Sequence, residues 1–146
     1  MANINVRSSN LKGVEISGEI IPKLIDEIPI IIIAASIANG TTIIKNAEEL
    51  RFKETDRLLA MSKFLKKSKI EHSLYDDGIK ISGNVEFTGG EFDAYDDHRI
   101  AMSVAISSII AKNKTIINDH EVASISYKNF YRHLKELKIW LAVRNN

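Results

Sequence analysis

The same short plan is written twice in this chain, and that constrains its fold more than any other feature. Thr42-Ile43-Ile44 returns as Thr115-Ile116-Ile117, an offset of 73 residues. At the same offset Asn46 falls on Asp119, Glu48 on Glu121, Met61 on Leu134 and Phe64 on Leu137. Upstream, the apolar run 31–38 falls on 104–111. Each copy, roughly 13–84 and 85–146, reads as an apolar helix, a Thr-Ile-Ile strand, a loop and an amphipathic helix. Strands and helices that alternate in this way predict an α/β (α+β) fold built from repeated units. A length of 146 residues is one domain's worth, enough to bury a core.

The elements follow from local pattern. The β-branched run Ile28–Ile33 is ambiguous in isolation, because periodicity does not settle a short continuous apolar segment. Its partner in the repeat, His98–Ala105, contains good helix formers behind Asp97, a residue suited to capping. Both runs are therefore predicted as helices, with Asp26 as N-cap of the first and Pro29 in its first turn. Leu58, Met61 and Leu65 form one helical stripe; Tyr127, Phe130, Leu134 and Leu137 form another. Between the copies, Lys69–Leu74 and Gly78–Ser82 read as a hairpin turning at Asp76-Asp77-Gly78. Gly89-Gly90 opens the second copy.

Composition removes several classes of function. With 20 basic and 19 acidic residues the formal net charge is +1, which gives no basic footprint for nucleic acid or a membrane surface. Cysteine is absent, so disulfides, thiolate metal sites and cysteine nucleophiles are excluded. The most apolar run, Ile28–Ala38, is far shorter than the roughly 20 residues that cross a bilayer. Residues after Met1 lack the basic and apolar regions of a secretory leader. The expected location is cytoplasmic.

Charge is concentrated in three segments, each placed at the start of a predicted helix: Leu24–Pro29, Glu49–Arg57 and Asp96–Met102. Free backbone N–H groups and the helix dipole favour anions there. Arginine is unusual at such positions, so Arg57 and Arg99 are candidates for gripping an anionic ligand through bidentate hydrogen bonds. Taken singly, each segment has a plainer reading. Asp26, Asp56 and Asp97 serve as caps, the Lys53–Arg57 cluster is a solvated helix start, and His98 is structural. Together they point to an anion-binding site of unspecified purpose.

At these residues the sequence resembles a known family. Ala47-Glu48-Glu49-Leu50-Arg51-Phe52-Lys53-Glu54-Thr55-Asp56-Arg57 contains a Lys-Glu-Thr-Asp-Arg string similar to the Lys-Glu-Ser/Thr-Asp-Arg signature of EPSP synthases. Asp97-His98-Arg99-Ile100-Ala101-Met102 resembles their Asp-His-Arg-x-Ala-Met signature. Ile21–Pro29 resembles the segment that carries their catalytic aspartate, and Leu11–Ile16 also matches. The resemblance runs from about Val6 to Leu137, in order. It implies the enolpyruvyl transferase fold, in which each of two similar domains contains three β-α-β-α-β-β units. About two units of the C-terminal domain would be present; the N-terminal domain and one further unit would not.

The resemblance also implies roles. Asp26 matches the proton acceptor on the 5-hydroxyl of shikimate 3-phosphate. Glu54 matches a glutamate implicated in proton transfer to the methylene carbon of phosphoenolpyruvate. Lys53 matches the lysine on shikimate 3-phosphate. Arg57 and Arg99 match the two arginines that bind phosphoenolpyruvate, and His98 lines the same site. The chemistry needs no metal or organic cofactor. One departure stands out: where many members carry a lysine for phosphoenolpyruvate, this chain has Ile125, and Lys128 stands where proline is common. The alternatives are a fragment of the related UDP-sugar enolpyruvyl transferases, a small-anion-binding domain without catalysis, and an ordered fragment that binds nothing. The implied partners are the two substrates and the missing domain, and a chain carrying half a site is expected to be inactive alone.

Overall fold

The computed structural model of the chain describes residues 3–144. Along the chain, strand β1 (Glu15–Ile16) leads through a 3-10 turn into the short helix α1 (Ile21–Leu24). A second 3-10 turn (Ile25–Glu27) enters helix α2 (Ile28–Ile37), followed by strand β2 (Thr41–Ile44). A 3-10 segment (Glu48–Phe52) then precedes helix α3 (Arg57–Lys67) and the hairpin of β3 (His72–Tyr75) and β4 (Gly78–Ser82). The sequence continues with β5 (Gly90–Asp93), α4 (His98–Ile110), β6 (Thr115–Asn118), a 3-10 segment (His120–Ile125) and α5 (Phe130–Arg144). The ends of the chain, residues 1, 2, 145 and 146, lie outside the described residues, so the outermost bounds of the 85–146 copy do as well.

The larger sheet has the order β1-β2-β4-β3. Strand β1 runs parallel to β2, with Glu15 opposite Ile43 and Ile16 opposite Ile44. Strand β4 is antiparallel to both β2 and β3. Period-two alternation sends Thr42, Ile44, Ile79 and Ile81 inward, where α2 and α3 cover them. A second sheet is the parallel pair β5–β6, packed beside α4. The main core joins the two halves: Ile28, Ile32, Leu58, Met61, Phe64, Leu65, Ile79, Ile81, Phe92, Ile100 and Val104 are all buried. Phe64 sits between Phe87 and Phe92, with ring centroids 5.7 and 4.7 Å away.

The ambiguous Ile28–Ile33 run is helical. Glu27, with φ −95°, stands at its N-cap, and no side chain caps the helix there. The expectation that Asp26 caps α2 is therefore corrected: Asp26 lies inside the preceding 3-10 turn, and its carboxylate faces two arginines instead. Serines inside the two apolar helices avoid an unpaired hydroxyl by bonding back to their own helix. Ser36 donates to the carbonyl of Ile32 at 2.8 Å, and Ser103 to that of Arg99 at 2.7 Å.

The two halves use the same local devices. Asn46 follows β2 at φ 58°, and Asp119 follows β6 at φ 55°, left-handed positions that Asn and Asp tolerate best among side-chain-bearing residues. Helix α2 ends at Ala38 and α4 at Ala111, each with an extended backbone. Gly83 allows the chain to pass the end of α2, since a Cβ there would lie 2.1 Å from the carbonyl oxygen of Ala38.

The last stripe is where pattern and structure part. Helix α5 begins at Phe130, so Tyr127 lies before it and is exposed. Phe130 and Leu134 are half-buried, and Leu137 is 57% exposed. A core role for Leu134 equal to that of Met61 is thus corrected, because Leu134 is only partly covered whereas Met61 is fully buried. We predict that Met61→Ala costs about 2–5 kcal/mol, as loss of a fully buried side chain does. Leu134→Ala should cost about 1 kcal/mol, in proportion to the apolar area it covers. Urea unfolding of both variants checks this, and equal losses would contradict the assigned packing of α5.

Candidate functional site

The three charged segments meet at the N-terminal ends of α2, α3 and α4. Arg57 is the first residue of α3, and its side chain is only 2% exposed. Burial of a guanidinium requires that its donors be satisfied, and here three carboxylates do so. Nε donates to Asp97 Oδ2 at 2.7 Å, Nη1 to Asp26 Oδ1 at 2.9 Å, and Nη2 to Glu54 Oε2 at 2.7 Å. Burial works against the positive charge, but Asp97, Asp26 and Glu54 outweigh it and raise the Arg57 pKa above its ordinary value.

Asp97 is fully buried and serves two elements at once. As N-cap of α4 its Oδ1 accepts the N–H groups of Arg99 at 2.8 Å and Ile100 at 3.2 Å. Its other oxygen holds Arg57. The two preceding residues, Tyr95 and Asp96, both adopt left-handed backbone with φ 54° and 55°. Such a conformation costs roughly 1–2 kcal/mol per residue with a Cβ, and it is tolerated where surrounding contacts over-determine it. Here the turn delivers Asp97 into the core beneath Arg57.

Arg99, the second residue of α4, is more open, at 28% side-chain exposure. Its Nη1 donates to Glu27 Oε1 at 2.7 Å, and Nη2 lies 3.6 Å from Asp26 Oδ2. Its Nε is buried and has no hydrogen-bond partner. The Asp26 carboxylate thus stands between two arginines 42 positions apart in the sequence. Burial pushes its pKa up, but the Arg57 hydrogen bond and the charges of Arg99, Arg57 and Lys53 prevail and hold it below the ordinary value of 3.8. Beside this group a cavity of about 180 Å³ has a lining that includes Asp26, Glu27 and Arg99 together with the apolar Ile30, Met102 and Phe130.

The remaining candidates make no hydrogen bond to this cluster among the described residues. Lys53 precedes Glu54 in the loop into α3 and pairs with Glu49 one helical turn back. His98 opens α4 next to Arg99 and is half-buried. Ile125 lies at the end of the last 3-10 segment, 74% exposed. Sequence reasoning missed two residues. Arg51 donates to the carbonyls of Tyr75 and Asp76, both at 2.7 Å, and to Asp56 Oδ2 at 2.8 Å. It ties the β3–β4 turn to the cap of α3, where Asp56 Oδ1 accepts the Leu59 N–H at 2.9 Å. Glu27 is the other, taken for part of an acidic helix start although its carboxylate sits on Arg99.

What the arrangement can do chemically is bounded by its charges. Two arginines are enclosed by Asp26, Glu27, Glu54 and Asp97, with Lys53 near. Guanidinium groups pair with carboxylate or phosphate oxygens alike, and two of the carboxylates here, Asp26 and Glu54, are half-exposed and so open to solvent or solute. Among the described residues no group of three or more His, Asp or Glu side chains is arranged to hold a metal ion. No helix among them is long and apolar enough to cross a membrane.

Comparison with known proteins identifies the family. The chain is 48% identical over 137 residues to the 3-phosphoshikimate 1-carboxyvinyltransferase of Synechococcus elongatus, covering 94% of this chain and 31% of that protein. It is 46% identical over 136 residues to the protein of the same name from Bacillus thuringiensis, covering 93% and 32%. A solved EPSP synthase from Acinetobacter baumannii superposes with a TM-score of 0.83 at 34% identity, over 88% of this chain and 30% of that one. The chain therefore spans about a third of the length of the curated relatives it matches. Residues 1–134 match the family model described as EPSP synthase (3-phosphoshikimate 1-carboxyvinyltransferase), and this chain belongs to that family.

Proposed function

We propose that this chain supplies the phosphoenolpyruvate side of an EPSP synthase active site. The observation that carries the reading is the Asp26 carboxylate shared between Arg57 and Arg99, with Glu54 on the same guanidinium. Phosphoenolpyruvate carries a carboxylate and a phosphate close together, and two guanidinium forks match both. In the reaction the 5-hydroxyl of shikimate 3-phosphate adds to C2 of phosphoenolpyruvate. Asp26 accepts the hydroxyl proton while Glu54 delivers a proton to C3. Phosphate then leaves C2 as C3 gives up a proton, which restores the double bond in the enolpyruvyl product. Arg57 and Arg99 hold the charge that develops on the departing phosphate. Lys53 contacts shikimate 3-phosphate and His98 lines the pocket. Every bond change is accounted for by proton and phosphate movements, so the chemistry calls for no organic cofactor or metal.

On this reading the halves around β1–β4 and β5–β6 are two repeated units of one domain, and the other side of the cleft comes from a second domain of a cytoplasmic enzyme. Positioning two reactants accounts for about 7–11 kcal/mol of a barrier. A chain with one side of the cleft should therefore release no phosphate from phosphoenolpyruvate plus shikimate 3-phosphate. The separately expressed remainder of a close relative should restore release, and Asp26→Ala should abolish the rescue. Turnover by the chain alone would contradict the half-site assignment. Turnover with a UDP-sugar in place of shikimate 3-phosphate would move the chain to the sibling activity.

A further inference from the structure

The carboxylates around the two arginines are not equivalent, and the difference singles out Glu27. Asp97 is fully buried and caps α4, so it is fixed. Asp26 and Glu54 both bond to the buried Arg57. Among the described residues the Glu27 carboxylate forms one ion pair, with Arg99 Nη1, and its side chain is 54% exposed. It stands at the N-cap position of α2 without capping it. No backbone N–H at the start of that helix bonds to its carboxylate. What it does is fill the open end of Arg99, the more accessible of the two guanidiniums, whose Nε is left buried and unpartnered.

We propose that Glu27 is an internal anion that holds a ligand seat on Arg99 and sets the affinity for an incoming anion by competing with it. This rests on the reading of Arg99 as a phosphoenolpyruvate ligand. An incoming carboxylate or phosphate oxygen must displace Glu27 from Nη1, and the displaced carboxylate stays nearby and repels the ligand. Because the pair is half-exposed, the contact is weak enough to exchange. Glu27 thus acts as a specificity-determining residue: a dianion able to hold Arg99 through two oxygens outcompetes it, whereas a monoanion gains little over the resident carboxylate.

The experiment titrates phosphoenolpyruvate, with inorganic phosphate in parallel, into the chain and its variants, following amide shifts at Arg99 and Ile100 by NMR. Glu27→Gln keeps the shape and removes the charge, and it should tighten phosphoenolpyruvate binding by about two- to tenfold. Arg99→Ala should abolish binding, and Glu27→Gln should then have no effect in the Arg99→Ala background. A residue that merely orients Arg99 would give the opposite sign, since its loss would weaken binding. Unchanged or weaker binding by Glu27→Gln, with binding still lost in Arg99→Ala, would sink the Glu27 proposal and leave the arginine site intact. Full binding by Arg99→Ala would remove the site assignment itself. Absence of binding by both the parent chain and Glu27→Gln would overturn the competition.

Discussion

Replacing Arg57 with Met should lower the stability of this chain by about 3–5 kcal/mol, the loss seen when one partner of a buried ion pair is removed. Arg57 is 2% exposed and Asp97 fully buried, so deletion of the guanidinium leaves a buried charge with Oδ2 unpartnered. Asp26 and Glu54 are about half-exposed and can turn to solvent, so they add little to the loss. The strained turn at Tyr95-Asp96 also loses one of the contacts that holds it. Asp97→Asn in the Arg57→Met background should recover a large part of the stability. It removes the stranded charge yet keeps a good cap for α4. Urea unfolding of both single variants and the double variant gives the coupling between them. A loss below about 1 kcal/mol for Arg57→Met, or no recovery on adding Asp97→Asn, would mean that the buried pair is not what anchors α3 to α4.

The second large effect is on rate. In an enzyme reassembled with the second domain, Asp26→Asn should reduce kcat by about 10²–10⁴-fold, the usual contribution of a positioned general base, while the fold persists. The arginines hold the Asp26 pKa below 3.8, which gives the prediction a sign. A group with a lowered folded-state pKa contributes stability above its unfolded value, and that share is lost as pH falls through the folded value. Stability of the parent chain should therefore decline below about pH 4 more steeply than that of Asp26→Asn. Binding a polyanion beside Arg57 and Arg99 offsets their positive charge and moves Asp26 upward, toward a stronger base. The acid limb of kcat, which reports the complex, should accordingly lie at higher pH than that of kcat/KM, which reports the free enzyme. Coincident limbs, or an unchanged kcat in Asp26→Asn, would remove Asp26 from the role of base.

Much of the local structure was written in short-range pattern. Asp56 and Asp97 stand where caps are required, and both do cap. The Asp76-Asp77 turn joins strands that pair as their alternation demands. The Leu58, Met61, Leu65 stripe is fully buried. These features depend on neighbours within a few residues, so sequence alone determines them. The family signatures around Lys53–Arg57 and Asp97–Met102 were legible for the same reason: each is one continuous turn of chain. What sequence could not settle were choices among partners distant along the chain. Asp26 had the chemistry of a cap and also of an ion-pair partner, and only the approach of α3 and α4 brought Arg57 and Arg99 close enough to claim it. Asp97 showed one role by position, while its second oxygen found Arg57 across 40 residues. Tyr127 and Leu137 fit a helical stripe, yet both stay exposed at 45% and 57%. A carboxylate pairs with whichever cation removes it from water at least cost, and an apolar face is buried only where another surface meets it. Both outcomes are set by tertiary packing.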